Sequence, residues 1–128
     1  MTWTMRTILV VDDDAATREL LDLELSASGY ATIFARDARG AIAIARAEHP
    51  DLIVLDVMLP GHDGFTVLEE LQEAREADRM PVIVFTGGDA DASRERATEL
   101  GAAGFLAKPF ETDELLGAID AALGLPVG

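Results

Sequence analysis

Apolar positions along this chain fall into short solid runs separated by stretches with helical spacing. Ile8–Val11, Ala31–Ala35, Leu52–Leu55, Val82–Phe85 and Gly104–Ala107 have the length and branched or aromatic content of buried strands. Between them the apolar residues recur every three or four positions. A helix is predicted over Ala15–Ser28, with Ala16, Leu20, Leu23 and Ala27 as its inward stripe and Gly29 as its stop. Asp37 can cap a second helix that runs to Glu48 with Ala41, Ile42 and Ala45 inward, before Pro50 breaks it. A third is predicted over Phe65–Ala77 with Leu68 and Leu71 inward, and a fourth over Ala90–Leu100, ended by Gly101. The fifth covers Thr112–Leu123 with Leu115, Leu116, Ile119 and Leu123 inward. The fourth has mostly alanine on its apolar face and should pack weakly.

Five strands in strict alternation with five helices define an α/β fold, a doubly wound parallel sheet. All strand C-terminal ends then lie on one edge, where open α/β sheets bind ligands. Four runs end there in residues suited to phosphate or metal. Ile8–Val11 leads into Asp12, Asp13 and Asp14; Leu52–Leu55 into Asp56; Val82–Phe85 into Thr86; Gly104–Ala107 into Lys108 and Pro109.

Each has an ordinary explanation when taken singly. Asp12–Asp14 could cap the first helix. Asp56 could be a loop-entry aspartate, Thr86 a strand-end hydroxyl and Lys108 a solvated lysine. One crevice that uses all five accounts for them together. Three carboxylates in one crevice repel and raise one another's pKa, a penalty that a divalent ion removes. Oxygen ligands without histidine or cysteine suit Mg²⁺, with Mn²⁺ as an alternative. His49 and His62 are expected to face solvent.

Composition narrows the function. The 128 residues suit one domain (1–128, core about 6–123), and 49% are hydrophobic, enough for a core. The formal charge of −14 disfavours direct nucleic-acid binding, because phosphate recognition needs basic patches. No apolar run approaches the ~20 residues of a membrane span, and Met1–Arg6 does not read as a signal peptide. With no cysteine there is no disulfide framework, and a cytoplasmic location is the expectation.

The motifs Leu9-Val10-Val11-Asp12-Asp13, Leu55-Asp56-Val57-Met58-Leu59-Pro60-Gly61, Thr86 and Lys108-Pro109-Phe110 make the chain resemble the receiver domains of two-component response regulators over nearly its whole length. The resemblance implies a flavodoxin-like (βα)5 fold with strand order 2-1-3-4-5, an order for which a chemotaxis receiver is a standard example. It implies Mg²⁺ bound by Asp13, Asp56 and the backbone carbonyl of Met58, with Asp12 acting through water. It makes Asp56 the phosphorylated nucleophile, Thr86 and Lys108 the phosphoryl ligands, and Pro109 a cis proline that aims the lysine.

By the same resemblance Phe105 is the switch aromatic. Its movement would remodel the face formed by the fourth helix, fifth strand and fifth helix. Met58 and Gly88 occupy the positions that modulate phosphate loss, and neither can orient an attacking water, so slow loss is expected. The implied partners are a sensor histidine kinase or histidine phosphotransfer protein upstream and a protein target downstream. The protein would be a phosphoacceptor that assists its own phosphorylation and dephosphorylation rather than an enzyme.

The chain ends five residues beyond Leu123, so no output domain is expected. Ala102-Ala103-Gly104 before Phe105, and Gly117 and Asp120 in the last helix, lack the charges of the familiar helix-4-face dimer. A monomer or a phosphorylation-dependent dimer remains open, as does a receiver that is part of a larger kinase or DNA-binding regulator. Rival classes fit less well. A haloacid-dehalogenase-like phosphatase would use Asp12-Asp13-Asp14 as its Asp-x-Asp, but Ala16 stands where that family has threonine or valine, and Asp56 would have no role. A flavodoxin would need a hydroxyl- and glycine-rich phosphate loop where three aspartates stand. A docking-only receiver would not need Asp56, Thr86 and Lys108 intact.

Overall fold

The computed structural model describes residues 5–59, 63–88 and 90–124. The expected loop residues Pro60, Gly61 and His62 lie outside them. The strands are β1 (Thr7–Val11), β2 (Ala31–Ala35), β3 (Leu52–Asp56), β4 (Val82–Thr86) and β5 (Gly104–Ala107). The helices are α1 (Ala15–Ala27), α2 (Ala38–Glu48), α3 (Phe65–Glu73), α4 (Ala90–Glu99) and α5 (Thr112–Leu123). All neighbouring strands pair in parallel, as expected from the alternation, in the order β2-β1-β3-β4-β5 that the receiver resemblance implies.

The sheet divides the core in two. Leu9, Val11, Ile53, Leu55, Val82 and Val84 pack with α2, α3 and Ala97 of α4 on one face. Ile8, Val10, Leu52, Val54, Ile83 and Phe85 pack with Leu21 and Leu25 of α1 and Leu115 and Ile119 of α5 on the other. β3 and β4 are buried along their whole length, as strands covered on both faces must be.

Two expectations are corrected. The inward face of α1 is Leu21 and Leu25, whereas Leu20 and Leu23 are 55% and 70% exposed. Positions 16, 20, 23 and 27 do lie on one face, but α1 carries a second apolar pair four residues apart, and the sheet takes that one. The intervals alone could not tell which face turns inward. Secondly, α3 ends at Glu73 rather than Ala77. Arg75 is left-handed at φ 59° and a 3-10 turn follows over Glu76–Asp78. As expected of its composition, α4 buries only Ala97.

Leu25→Ala should destabilise the fold by about 2–5 kcal/mol through lost burial and a cavity, and Leu23→Ala by less than about 0.5 kcal/mol. Urea denaturation of the two variants would read the difference, and the reverse order would mean that α1 docks by its other face.

Candidate functional site

Register brings the rim residues level. Val11 pairs with Leu55, so Asp12, the next residue after β1, stands beside Asp56 at the end of β3. Asp56 pairs with Phe85, and Thr86 with Ala107, which places Thr86 and then Lys108 one step further along the rim. Carboxylate oxygens of Asp12, Asp13 and Asp56 all lie within 4.8 Å of one another. Asp12 and Asp56 are buried and Asp13 is exposed, so the cluster opens to solvent through Asp13.

Lys108 closes the crevice from β5. Its Nζ lies 3.2 Å from Asp12 Oδ2 and 3.2 Å from Asp56 Oδ2, and 4.6 Å from the centre of the Phe85 ring. The Lys108–Pro109 peptide bond is cis. The other oxygens are held by main chain. Asp12 Oδ1 accepts from the Asp14 N–H at 2.9 Å, and Asp56 Oδ1 from the Met58 N–H at 2.9 Å. Thr86 is buried and its Oγ1 accepts from the Gly88 N–H at 3.1 Å.

The three consecutive aspartates divide their work. Asp14 is the N-cap of α1; its carboxylate accepts from the Ala16 N–H at 3.3 Å and the Thr17 hydroxyl at 2.7 Å. Those bonds hold its pKa below the ordinary carboxylate value. Asp12 and Asp13 are left for the crevice. Burial pushes the Asp12 carboxyl above its ordinary value, against the opposing pull of the Asp14 N–H and Lys108. For Lys108, burial favours the neutral amine, but the charges of Asp56 and Asp12 outweigh it and hold the ammonium above its usual range.

Around this centre, Met58 is exposed and its sulfur lies close over Gly88, where a Cβ would fall 2.7 Å from it. Gly64 is needed at the start of α3, because a Cβ there would stand 2.5 Å from the Val57 Cα. Phe105 is half-buried, with the Arg94 guanidinium 5.2 Å from its ring centre.

Two residues near the site escaped the sequence reading. Arg96 of α4 meets Asp63 at 2.6 Å and Glu69 at 3.1 Å and lies over the Phe65 ring, and Arg18 donates to the Asp12 carbonyl at 2.8 Å. Arg18 follows Asp14 by four residues, one helical turn, and that interval was its only available signal. A cleft of about 630 Å³ lies away from the carboxylates, beside His49, Arg75 and Arg79. Among the described residues no helix is long and apolar enough to cross a membrane.

A parallel sheet whose rim joins a carboxylate trio to a lysine defines an α/β domain with an acidic, lysine-bridged crevice at its strand C-terminal ends. Comparison with known proteins narrows this: residues 8–120 match the family model of the response regulator receiver domain, and the chain belongs to that family. It is 41% identical over 116 residues to response regulator MprA of Mycolicibacterium vanbaalenii, a match that covers 91% of this chain and 49% of that protein. The chain thus spans about half the length of this curated relative. Among solved structures, a putative response regulator from Chloroflexus aurantiacus superposes with TM-score 0.88 at 31% identity, covering 94% of this chain and 99% of that one. The chemotaxis protein CheY4 of Vibrio cholerae superposes with TM-score 0.85 at 28% identity, covering 94% and 100%.

The Asp12 shift sets a pH dependence. A carboxyl whose native pKa lies above its unfolded one binds more protons folded than unfolded, so its contribution to stability falls as pH rises through that window. In chelator, wild-type stability relative to Asp12→Asn should therefore fall as pH rises from about 4, the unfolded carboxylate range, toward neutrality. Urea midpoints at successive pH values measure this, and a widening wild-type advantage would contradict it.

Proposed function

We propose that this receiver domain accepts a phosphoryl group on Asp56 from a phosphohistidine donor, with Mg²⁺ bound beside it. The observation that carries the reading is the buried Asp56 carboxylate, placed within 4.8 Å of two other acids and 3.2 Å from the Lys108 ammonium. An Asp56 oxygen forms the new O–P bond as the donor's N–P bond breaks, and the imidazole leaves with the electron pair. Transfer of this kind needs positioning and charge neutralisation more than covalent assistance.

Lys108 supplies one positive charge to the transferred group. Thr86 Oγ1 and the N–H groups after β4 supply hydrogen bonds. The all-oxygen donor set of Asp12, Asp13, Asp56 and the Met58 carbonyl fits Mg²⁺, and Mn²⁺ in its place. The ion, when bound, neutralises the carboxylates and withdraws charge from the phosphoryl oxygens. The protein is on this reading a phosphoacceptor rather than an enzyme. The commitment of Asp14 to capping α1 weighs against the dehalogenase-like alternative, which needs that residue as its second aspartate.

The donor would be a sensor histidine kinase or a histidine phosphotransfer protein in the cytoplasm. Leu20 and Leu23 stand exposed on α1, and a cleft between Leu20 and Phe110 runs to Lys108. Positions 16, 20, 23 and 27 follow the four-three-four spacing of a helix-packing seam, which supports a helical donor docking beside the rim. Downstream, phosphorylation draws Thr86 inward and Phe105 follows, changing the α4–β5–α5 face read by a protein target, with or without dimerisation.

Intact-mass spectrometry after incubation with acetyl phosphate and Mg²⁺ tests the nucleophile. One phosphoryl group should appear on the wild type, none on Asp56→Asn, and none after prior chelation; equal labelling of both proteins would place the nucleophile elsewhere. The labelled protein should lose its phosphate with a half-life longer than seconds, because neither Met58 nor Gly88 orients water. Decay within a few seconds, followed by the same mass measurement, would refute that.

A further inference from the structure

Arg18 leaves α1 one turn after its N-cap and reaches back over the loop that carries the acids. Its Nη1 donates to the Asp12 carbonyl oxygen at 2.8 Å. That carbonyl belongs to the peptide plane joining Asp12 to Asp13. The other two acids of the crevice have their own restraints: Asp12 through the Asp14 N–H and Lys108, Asp56 through the Met58 N–H and Lys108. The Asp13 carboxylate has no hydrogen-bond or ion-pair partner among the described residues. Its place within reach of the other two is set by its backbone alone. The Arg18 contact fixes the plane from which it hangs.

We infer that Arg18 is a positioning residue for cation binding in this crevice, acting through the Asp12–Asp13 peptide to hold Asp13 toward Asp12 and Asp56. The inference rests on the reading of that trio as a Mg²⁺ site. It has a sign that simple electrostatics does not share. A guanidinium near the crevice repels a divalent cation, so by charge alone its removal would tighten metal binding. A guanidinium that orders a ligand does the reverse, and loss of outer-sphere partners of this kind weakens metal binding ~10–100-fold. Arg36 lines the same small cleft as Arg18 and supplies the control. Its removal takes away the same charge without touching the Asp12 carbonyl.

The experiment is isothermal titration of Mg²⁺ into metal-free wild type, Arg18→Met, Arg18→Lys and Arg36→Met, with thermal melts in chelator alongside. Arg18→Met should raise the Kd for Mg²⁺ ~10-fold, Arg18→Lys should recover part of the loss by keeping a donor on a long stem, and Arg36→Met should leave the Kd unchanged or lower it. If Arg18→Met does not fold, Arg18→Gln, too short to reach the carbonyl, takes its place with the same expectation. An unchanged or lower Kd in Arg18→Met overturns the inference while the metal site stands. A fall in the metal-free melting temperature with no change in Kd assigns Arg18 a structural role only and overturns it equally. A wild type that takes up no Mg²⁺ removes the metal site and this inference with it.

Discussion

Two carboxylates at the ends of adjacent strands, bridged by one ammonium, are the constraint on which the rim is built. Asp12 and Asp56 are almost wholly withdrawn from water, and removing one partner from a buried charge cluster leaves the other uncompensated. Lys108 answers both from the far side of the crevice, its Nζ resting over the Phe85 ring. β5, which pairs with neither β1 nor β3, is thereby joined to the ends of those two adjacent strands at one nitrogen. A single cation does not balance three acids, and the crevice stays acidic.

Much of this was legible beforehand because the strands are nearly pure. Runs such as Leu52–Leu55 leave no choice of face, since both are covered, and the residue that ends each run falls at the rim by topology alone. Helices are harder. α1 is apolar on two sides, and which side is inward depends on the entry angle set by the Asp14 cap and on the shape of the sheet, neither of which is written in the spacing of leucines. The end of α3 was missed for a related reason: Arg75 adopts a left-handed conformation that nothing in an arginine announces. The carboxylates, the threonine and the lysine could be named from their strand ends. The Arg96 contacts could not, because those with Asp63 and Glu69 link residues 33 and 27 positions apart.

α4 is attached differently from the other helices. Only Ala97 is buried from it, while Arg96 grips the start of α3 and the Asp63 turn, and Arg94 lies over Phe105. The guanidinium of Arg96 is held above its ordinary pKa by Asp63 and Glu69. An element fastened by exposed ionic contacts can shift without opening a cavity in the core, whereas one fastened by leucines cannot. The helix whose Arg94 lies over Phe105 is thus one that can move at little expense to the rest.

The division of the core by the sheet has a consequence for fidelity. Side chains on each strand alternate between two separate hydrophobic layers, so sliding β1 or β3 by one residue would exchange every layer assignment on that strand at once. The same slip would carry Asp12 or Asp56 about 3.3 Å along the strand axis, out of line with Lys108. Errors in assembling the pocket are therefore also errors in assembling the interior, and the interior rejects them. The alignment of the acids is proofread by residues that never touch a ligand.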